Sequence, residues 1–389
     1  MKKILSNCRL VLPDAILADG AVVIDEYGKI DDAGSLAELP EKNAQTVDLG
    51  GKILSPGFID IHVHGGNGVT FGDGDLEAST SNYSQWVTSN GVTGYLMSVA
   101  EKTSDALVKM IEKYVEIFNN PPDGAETLGL HLEGPFLNVE KKGAFHPEWL
   151  RSPDVDEMKA YINAGGKWIR QMTLAPELPD AEAVAQLCKD AGILVAMGHT
   201  NNDFEGAEKA LKGSFQHVTH TFNAQRGFNH REPGVFGAIL VSDAVTAELI
   251  ADTVHVHPGA MRLLLRCLGS DRVVAITDAM AGSGDPNGVY PLGGYEVYVK
   301  DSRATLENGT LAGSVATLNQ CVANLINHVG LSLVDAIKMA SLNPARTLGL
   351  DERLGSIEKG KDANLTVIDD DINVLMTFVN GHVVYNQMG

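Results

Sequence analysis

The feature that most constrains the fold of this chain is a long alternation of strand-like and helix-like segments between residues 56 and 345. Eight short β-rich runs recur along it, at 58–63, 92–99, 127–133, 169–174, 193–198, 215–221, 246–251 and 272–277. Helical patterns lie between most of these runs, at 78–90, 104–119, 154–164, 180–191, 203–212 and 258–268. Strands that alternate with helices pair in parallel, and eight of them predict a closed (β/α)8 TIM barrel in the α/β class.

A doubly wound open sheet is the structural alternative to the barrel. No GxGxxG turn follows the first strand, and ligand-type residues end strands that are spread over the whole alternation. In a barrel all strand ends face one mouth, whereas strands so far apart in an open sheet do not converge. The barrel is therefore predicted. After its eighth strand, the β-rich stretch 288–311 predicts an inserted hairpin, and helical patterns at 315–329 and 332–341 complete the barrel.

The two ends of the chain differ from the middle. Residues 1–55 and 355–389 are rich in β-branched residues and in Gly turns, and Asn380-Gly381 is a strong signal for a two-residue hairpin. Both ends are predicted to pair into one discontinuous small β domain of the sandwich type. The domain boundaries are accordingly predicted as 1–55 plus 355–389 for this domain and 56–354 for the barrel.

Composition excludes several classes of partner. The net charge is −20 at pH 7, which argues against binding to nucleic acid or to anionic membranes, since both need a positive surface. No apolar stretch approaches the ~20 residues of a membrane span. The four cysteines, Cys8, Cys188, Cys267 and Cys321, lie far apart without a CxxC spacing, as is typical of reduced thiols. A cytoplasmic location is predicted.

Ionisable residues recur where the strand-like runs give way to Gly-rich or Thr-rich turns. An unpaired charge near a core is costly, so six such positions along one chain indicate a site rather than chance. They are His62 and His64 in FIDIHVHGG, Glu133 in LGLHLEGPF, His199 in ILVAMGHT, His220 in FQHVTHTF and Asp278 in VVAITDAM.

The types of these residues indicate a metal site. His62 and His64 are two positions apart, so on a strand both imidazoles point to the same face. Glu133, His199 and His220 together can bind one ion. Nitrogen and carboxylate ligands without thiolate suit a divalent catalytic ion, for which zinc is favoured and iron, manganese, cobalt and nickel are the alternatives.

Two roles are predicted for Asp278, as a metal ligand and as a group that transfers a proton. His62, His64 and Asp278 could hold a second ion bridged to the first by Glu133, so one or two ions per chain are expected. A carboxylate at this point can also take a proton from attacking water and return it to a leaving amine. A Ser-His-Asp triad is the rival mechanism, but the chain contains no GxSxG elbow.

Longer motifs carry a resemblance to a known family. They are PGFIDIHVHG, GLHLEGPFLN, KKGAFHP, LAPE, GHT, THTFNA, REPG, IADTVHV, TDAM, LAGS and SLNPAR, and they span nearly the whole chain. Through them the sequence resembles the amidohydrolase superfamily and, within it, the N-acetylglucosamine-6-phosphate deacetylases. HxH alone is shared by many amidohydrolases, whereas HLEGPFLN, THTFNA and REPG are specific to this family. The resemblance implies a (β/α)8 barrel with a small β domain made from both chain ends.

The resemblance also implies roles for individual residues. Glu133, His199 and His220 would bind the principal metal, and Asp278 would be the general base and acid. Substrate contacts would fall on Ala144, His146, Asn223, Ala224, Arg231, Asp252 through His255, Leu311, Ala312 and Gly313. In the family the Arg at this position reaches the site of a neighbouring subunit, which implies a homodimer.

Three departures from the family pattern bear on these expectations. The chain keeps the HxH pair, which some members lack, so a second ion is expected to have its ligands. KKGAFHP has an extra residue before His146, which is expected to polarise the acetyl carbonyl. Thr253 stands where the family usually has Gly, and it is expected to tighten the sugar pocket.

Four functions remain open at this point. The first is metal-dependent deacetylation of N-acetyl-D-glucosamine 6-phosphate to D-glucosamine 6-phosphate and acetate, in amino-sugar catabolism or recycling. The second is the same reaction on the galactosamine epimer, which differs at one hydroxyl. The third is a catalytically inactive scaffold, although such proteins usually lose ligands. The fourth is a cyclic-amide hydrolase, but LAPE supplies no lysine for the carboxylated ligand of that class.

Overall fold

The first five strands belong to a sheet formed from both ends of the chain. In the computed structural model, which describes residues 2–39, 44–285 and 287–388, they are β1 (Lys3–Val11), β2 (Ile16–Ile24), β3 (Ile30–Ser35), β4 (Gln45–Asp48) and β5 (Ile53–Pro56). β1 pairs along one edge with β2, in antiparallel register. Its other edge pairs in parallel with β4 over the first half and with β5 over the second half.

The parallel sheet follows. Within the described range 44–285 the next strands are β6 (Phe58–Val63), β7 (Gly65–Gly66), β8 (Val69–Thr70), β9 (Val92–Val99), β10 (Glu126–Glu133), β11 (Ile169–Leu174), β12 (Leu194–Met197), β13 (His217–Val218), β14 (Thr246–Ile250) and β15 (Val273–Ile276). β7 and β8 form a small hairpin. The other eight strands form one sheet in the order β6-β9-β10-β11-β12-β13-β14-β15. The order follows the chain, as in a barrel.

Backbone hydrogen bonds close this sheet into a barrel. The N–H of Asp278 donates to the carbonyl of His62 at 2.9 Å, and the N–H of His64 donates to the carbonyl of Ala279 at 2.8 Å. These bonds join the first strand to the segment after the last one, so the sheet has no free edge at this end. The predicted (β/α)8 barrel is confirmed, and the open sheet is excluded.

Helices surround the barrel. Over the described residues they are α1 (Leu76–Trp86), α2 (Ser104–Asn119), α3 (Val155–Gly165), α4 (Ala181–Asp190), α5 (Phe204–Lys212), α6 (Gly234–Val241), α7 (Pro258–Leu268), α8 (Leu318–Asn324), α9 (Leu333–Ala340) and α10 (Leu342–Thr347). The six helices predicted between strands are α1 to α5 and α7, with ends shifted by a few residues. α6 was not predicted, because its sequence GVFGAILV is apolar on every side and gives no amphipathic period.

The second helix illustrates how the sequence sets these elements. The side chain of Thr103 caps α2 by accepting a hydrogen bond from the N–H of Ala106. Leu107, Ile111 and Tyr114 then recur at helical spacing and are fully buried. The apolar stripe therefore faces the barrel, and the charged residues between these positions face solvent.

The segment after the barrel contains one strand more than predicted. Its strands are β16 (Gly288–Leu292), β17 (Tyr295–Lys300) and β18 (Arg303–Thr305), which form an antiparallel sheet within the described range 287–388. The second turn is made by Asp301 and Ser302, which have φ of 50° and 59°. Two left-handed residues are typical of a type I′ hairpin, but Asp-Ser lacks the usual glycine and so gave no turn signal.

The last three strands complete the terminal sheet. They are β19 (Leu365–Ile368), β20 (Val374–Val379) and β21 (His382–Asn386), and β19 pairs antiparallel with β5. Asn380 and Gly381 form the predicted two-residue hairpin between β20 and β21. The small β domain built from both chain ends is thus confirmed, while its limits at residues 55 and 355 stay a prediction.

Two apolar cores contain most of the buried apolar side chains of the described residues. The larger core lies between the barrel strands and the surrounding helices. The smaller core lies in the terminal sheet and contains Leu5, Leu10, Val22, Leu54 and Phe378. Across the described residues, we found no helix whose length and apolar character would let it span a membrane.

Candidate active site

A cavity of about 720 Å³ opens at the carboxyl ends of the barrel strands. Five of the six predicted site residues form part of its wall: His64, Glu133, His199, His220 and Asp278. The sixth, His62, is fully buried beneath them. The mouth formed by the carboxyl ends of the strands is where TIM barrels place their active sites.

Glu133 lies at the centre of this cluster. Its Oε1 is 3.2 Å from Nε2 of His199 and 3.1 Å from Nε2 of His220. The two imidazole nitrogens are themselves 3.1 Å apart. One oxygen and two nitrogens thus converge on a common point, as the sequence predicted for the first metal site.

His62, His64 and Asp278 form a second convergent group beside the first. Oδ1 of Asp278 lies 3.3 Å from Nε2 of His64 and 3.6 Å from Nε2 of His62. Glu133 joins the two groups, because its Oε2 is 3.1 Å from Nε2 of His64. The geometry therefore brings all six predicted residues together around one shared carboxylate.

The backbone at three of these residues is in the left-handed region. φ is 47° at His199, 28° at His220 and 50° at Asp278. Each follows the end of its strand by two residues, so the chain turns sharply while the side chain stays aimed into the mouth. Non-glycine residues rarely adopt this conformation, and such strain is concentrated at functional sites.

The charges in the cluster shift one another's ionisation. Burial raises the pKa of Glu133, but the charge of His62 and hydrogen bonds from His199 and His220 outweigh burial and hold it well below its usual range. Burial lowers the pKa of His62, but the charges of Glu133, Glu248 and Asp278 raise it well above its usual value. The ionised Glu133 thus faces an imidazole, His62, that holds its proton strongly, and a cation bound between them would have to displace that proton.

Asp278 is also held as a carboxylate. Burial raises its pKa, but the charge of His62 and the hydrogen bond from His64 outweigh burial and lower it. The side chain is nevertheless at the cavity wall. An ionised carboxylate that faces the cavity is suited to accept a proton from water or substrate.

Below the cluster, the barrel interior is filled by polar side chains. Glu248 on β14 accepts hydrogen bonds from Nε2 of Gln171 at 2.7 Å and from Nδ1 of His62 at 2.8 Å. His131 on β10 contacts Oγ of Ser98 at 2.8 Å and Oγ1 of Thr173 at 2.7 Å. These chains of hydrogen bonds fix the side chains that form the floor of the site.

Asp60 is another buried carboxyl in this layer. Burial raises its pKa to about 7, although hydrogen bonds from Thr277 and from the N–H of His62 lower it. Its Oδ2 accepts from Oγ1 of Thr277 at 2.5 Å. Asp60 therefore ties β6 to the segment after β15 directly under the site.

The cluster fits a divalent metal ion. Nδ1 of His199 donates to the carbonyl of Lys141 at 2.8 Å, which leaves the lone pair of this imidazole on Nε2, the atom that faces Glu133. Nε2 of His62 is buried without a hydrogen-bond partner among the described residues. A cation between these atoms would satisfy that lone pair, and nitrogen with carboxylate ligands is a donor set for Zn²⁺ and its neighbours.

Most of the predicted substrate contacts also lie at the cavity. Ala144, Asn223, Ala224, His255, Leu311 and Gly313 form part of its wall. Asp252 lies behind His255, and its Oδ2 accepts from Nδ1 of His255 at 2.7 Å. Burial lowers the pKa of His255, but the hydrogen bond and charge of Asp252 outweigh burial and raise it.

Other predicted contacts lie away from the cavity wall in the described structure. Ala312 is fully buried behind the wall. His146 caps a short 3-10 turn (Pro147–Trp149), and its ring stacks on Tyr295 with centroids 5.1 Å apart. Thr253 is exposed with φ of 67° and is not among the described residues of the cavity wall, so its effect on the sugar pocket stays a prediction. The role of His146 stays a prediction.

Arg231 is also not among the described residues that form the cavity wall. It lies in an exposed loop, where its Nη1 is 2.9 Å from Nε2 of His230. Phe228 in the same loop is 58% exposed, which is unusual for a large apolar side chain. The loop points its basic and apolar groups outward, and the contact of Arg231 with substrate stays a prediction.

Sequence reasoning missed several residues of the site. Phe145, Trp149 and Tyr295 line the cavity, and the ring of Phe145 packs edge-on against His199 with centroids 5.2 Å apart. Nothing in their local sequence marks loop aromatics as cavity walls. Glu248 had a usable signal, because it is a carboxylate in the middle of the buried strand TAELI. The predicted ligands lie at strand ends, whereas Glu248 lies inside its strand.

Comparisons with known proteins agree with this geometry. The amidohydrolase family matches residues 53–384. The N-acetylglucosamine-6-phosphate deacetylases of Lysinibacillus sphaericus and Bacillus subtilis are 36% and 35% identical, covering 90% and 98% of this chain and 91% and 97% of theirs. A mutant of the Mycobacterium smegmatis deacetylase, solved in complex with N-acetyl-D-glucosamine-6-phosphate, is 31% identical with a TM-score of 0.91, covering 99% of this chain and 100% of that one.

Proposed function

The chain belongs to the amidohydrolase family, and on that premise we propose that it hydrolyses the acetamide bond of N-acetyl-D-glucosamine 6-phosphate to D-glucosamine 6-phosphate and acetate. The observation that carries the proposal is the convergence of Glu133, His199, His220 and Asp278 at the floor of one cavity. An inactive scaffold would not need to keep every ligand in place. We assign the enzyme to amino-sugar catabolism or recycling.

The metal would be held by the first group of ligands. Glu133, His199 and His220 would bind the principal ion, for which we propose zinc, and His62, His64 and Asp278 could hold a second. When bound, the ion supplies Lewis-acid polarisation and lowers the pKa of water to near neutrality. The protein would hold the side chains of the two histidines and of Glu133 close together before the ion binds. The strained turns after β12 and β13 support this arrangement, because they direct both histidines into the cavity.

Asp278 would move the proton. Its carboxylate faces the cavity and is ionised, so it can accept the proton of the attacking water. Cleavage of the C–N bond then requires a proton on the departing amine, and Asp278 is positioned to return the one it took. His64, 3.3 Å away, holds the carboxylate in place during both transfers.

The phosphate would need more positive charge than His255 alone supplies. Among the described residues that line the cavity there is no lysine or arginine, and His255 is the one imidazole there outside the candidate metal ligands. A phosphate dianion needs nearby donors and cations. We propose that Arg231 of a neighbouring subunit supplies them, so that the functional unit is a homodimer. The outward position of Arg231 supports this arrangement.

We also propose that the enzyme works in the cytoplasm. All four cysteines are free thiols, and one of them, Cys267, is exposed. Exposed free thiols are typical of proteins in reducing compartments.

The decisive experiment is to measure acetate release with metal-depleted protein that has been reloaded with one defined ion. The substrates are the two N-acetylhexosamine 6-phosphates and their unphosphorylated forms. We expect turnover of the glucosamine derivative, weaker turnover of the galactosamine epimer, and large losses of kcat/KM without phosphate. A site that hydrogen-bonds the discriminating hydroxyl can separate the epimers strongly.

Two outcomes would contradict the proposal. Absence of acetate release with every ion tested would exclude the deacetylase. Equal rates with and without phosphate would remove the role of His255 and Arg231. The Arg231→Ala variant is the matched probe of the dimer, since mixing it with Asp278→Asn should restore activity if each subunit completes its neighbour's site.

A further inference from the structure

Glu248 is a fully buried carboxylate that has no part in the chemistry described above. It lies in the middle of β14 and has 0% relative exposure. Burial of an ionised carboxylate costs several kcal/mol unless its lone pairs are satisfied. A residue of this kind therefore needs a reason that hydrophobic packing does not provide.

Its two oxygens are occupied by different kinds of partner. Oε1 faces the framework of the barrel, where it accepts from Nε2 of Gln171 at 2.7 Å and lies 3.2 Å from Nε2 of His217. Oε2 faces the site, where it accepts from Nδ1 of His62 at 2.8 Å and from the backbone N–H of His220 at 2.9 Å. The carboxylate thus joins the barrel interior to two candidate ligands.

The two site partners belong to different ligand groups. His62 belongs to the group with His64 and Asp278, and His220 belongs to the group with Glu133 and His199. For the neutral imidazole that binds a metal, the bond to His62 also selects a tautomer, because an acceptor at Nδ1 requires the hydrogen there and leaves the lone pair on Nε2. That atom faces Glu133 and Asp278 and lacks a hydrogen-bond partner among the described residues.

We propose that Glu248 is the positioning residue of the metal site, which fixes the His62 imidazole as a ligand and sets its distance from His220. The inference rests on the proposed function, since it requires that the cluster bind metal. Carboxylates that orient metal-bound histidines in this way commonly change metal affinity 10–100-fold when they are removed. The backbone bond to His220 gives Glu248 a second hold, on the strained turn after β13.

The test compares two variants that alter different oxygens of the same contact set. Glu248→Gln keeps the shape but puts an amide N–H₂ on one side, so the side chain can no longer accept from both His62 and Gln171. Gln171→Met removes a donor to Oε1 and leaves the two contacts of Oε2 intact. Both changes disturb the buried hydrogen-bond network. Only Glu248→Gln alters the side chain that contacts His62 and His220.

Each protein is depleted of metal and titrated with Zn²⁺ against a competing chelator, and then loaded with Co²⁺ for its visible absorption spectrum. We expect Glu248→Gln to lose 10–100-fold in affinity for the ion that His62 contacts and to change the cobalt spectrum. Gln171→Met should lower the melting temperature while affinity stays within 3-fold of wild type and the spectrum is unchanged. A residue that only supports the fold would move the melting temperature in both variants and the spectrum in neither.

A double variant makes the test specific for His62. In the His62→Asn background, Glu248→Gln should lose less affinity than it does in the wild-type background, because the bond to His62 is already absent and only the bond to the N–H of His220 remains to be altered. Additive losses would overturn the inference. If Glu248→Gln does not fold, Glu248→Asp keeps the charge and shortens the reach by one methylene, and an unchanged cobalt spectrum in that variant would equally overturn it.

The wild-type titration separates this inference from the proposed function. If wild-type protein binds no stoichiometric metal, the proposed function fails. If it binds metal and Glu248→Gln binds with the same affinity and spectrum, the positioning role alone fails.

Discussion

The inside of the barrel and the core of the terminal sheet are equally buried but are filled with different chemistry. The barrel interior contains polar groups with no more than 1% relative exposure, namely Asp60, His62, His131, Gln171, Thr173, His217, Thr219 and Glu248. The terminal sheet packs apolar residues to the same degree, among them Leu5, Leu10, Val22, Leu54, Val367 and Phe378. The comparison teaches that burial has two uses in this protein.

In the terminal sheet burial stabilises the fold. Apolar surface removed from water contributes about 25 cal/mol per Å², without regard to direction. In the barrel interior burial instead fixes the orientation of polar side chains. Each polar group is held by hydrogen bonds of defined geometry, and its displacement would leave a buried group unsatisfied. We therefore expect substitutions in the barrel interior to change chemistry, and substitutions in the terminal sheet to change stability.

The largest effect is expected at the proton-transfer residue. Asp278→Asn should lower kcat by about 10²–10⁴-fold, since a general acid–base group contributes this much. The principal ion should remain bound, because Glu133, His199 and His220 are unchanged. Steady-state kinetics and metal analysis of the same preparation check both parts. Wild-type turnover in this variant would contradict the difference drawn between the barrel and the terminal sheet, because Asp278 would then be only structural.

The terminal sheet should give the opposite result. Phe378→Ala removes a side chain of 1% relative exposure and should lower the free energy of unfolding by about 3–5 kcal/mol. Metal content and KM of the folded protein should not change. Val383→Ala on β21, at 49% exposure, is the matched control and should cost less than about 0.5 kcal/mol. Denaturant unfolding of the three proteins measures the difference.

The pair formed by Asp252 and His255 predicts a pH dependence of stability. Burial lowers the folded-state pKa of His255, but the hydrogen bond and charge of Asp252 outweigh burial and raise this pKa above 6.5. The pair therefore stabilises the protein fully below pH 6.5. This stabilisation is lost as pH rises through the folded-state pKa. Asp252→Asn should therefore be less stable than wild type at pH 6, with the gap closing as pH rises.

Unfolding curves recorded across this pH range provide the measurement. Glu205→Gln, at an exposed position in the first turn of α5, is the control and should show no such convergence. A gap that widened with pH would show that His255 is bound in its neutral form, and the sign of the argument would be wrong.

The smallest effect is expected at Thr253. A β-branched residue at φ of 67° is strained by about 1–2 kcal/mol, whereas glycine adopts this conformation freely at the cost of a more flexible unfolded chain. Thr253→Gly should therefore raise the free energy of unfolding by at most about 1 kcal/mol. Ala191→Gly, at φ of −84°, relieves no strain and should lower it by about 0.5–1 kcal/mol. Thermal unfolding of both variants compares the two signs.

The sequence predicted the barrel because its strands are short, apolar and regularly spaced. The predicted runs 58–63, 92–99 and 169–174 coincide with β6, β9 and β11. The six ligand-type residues were found because each breaks an apolar run at a turn. Their convergence on Glu133 follows from the closed barrel, since all strand ends then share one mouth.

Other features depended on contacts that local sequence does not encode. α6 is apolar on every side and so has no period to detect. The stacking of His146 on Tyr295 joins a loop after β10 to the inserted sheet, far along the chain. The polar partners of Glu248 come from three other strands, and only the closed barrel brings them within hydrogen-bond distance.

The pairing of β5 with β19 has a consequence for the chain while it is being made. The hydrogen bond from Ser55 to the carbonyl of Thr366 joins residues 311 positions apart. On the ribosome, β5 must wait with one edge unpaired until the entire barrel has been translated, and an unpaired edge invites association with other chains. The N-terminal strands of the nascent protein are therefore the part most exposed to aggregation during synthesis. This exposure ends when β19 emerges from the ribosome and pairs with β5.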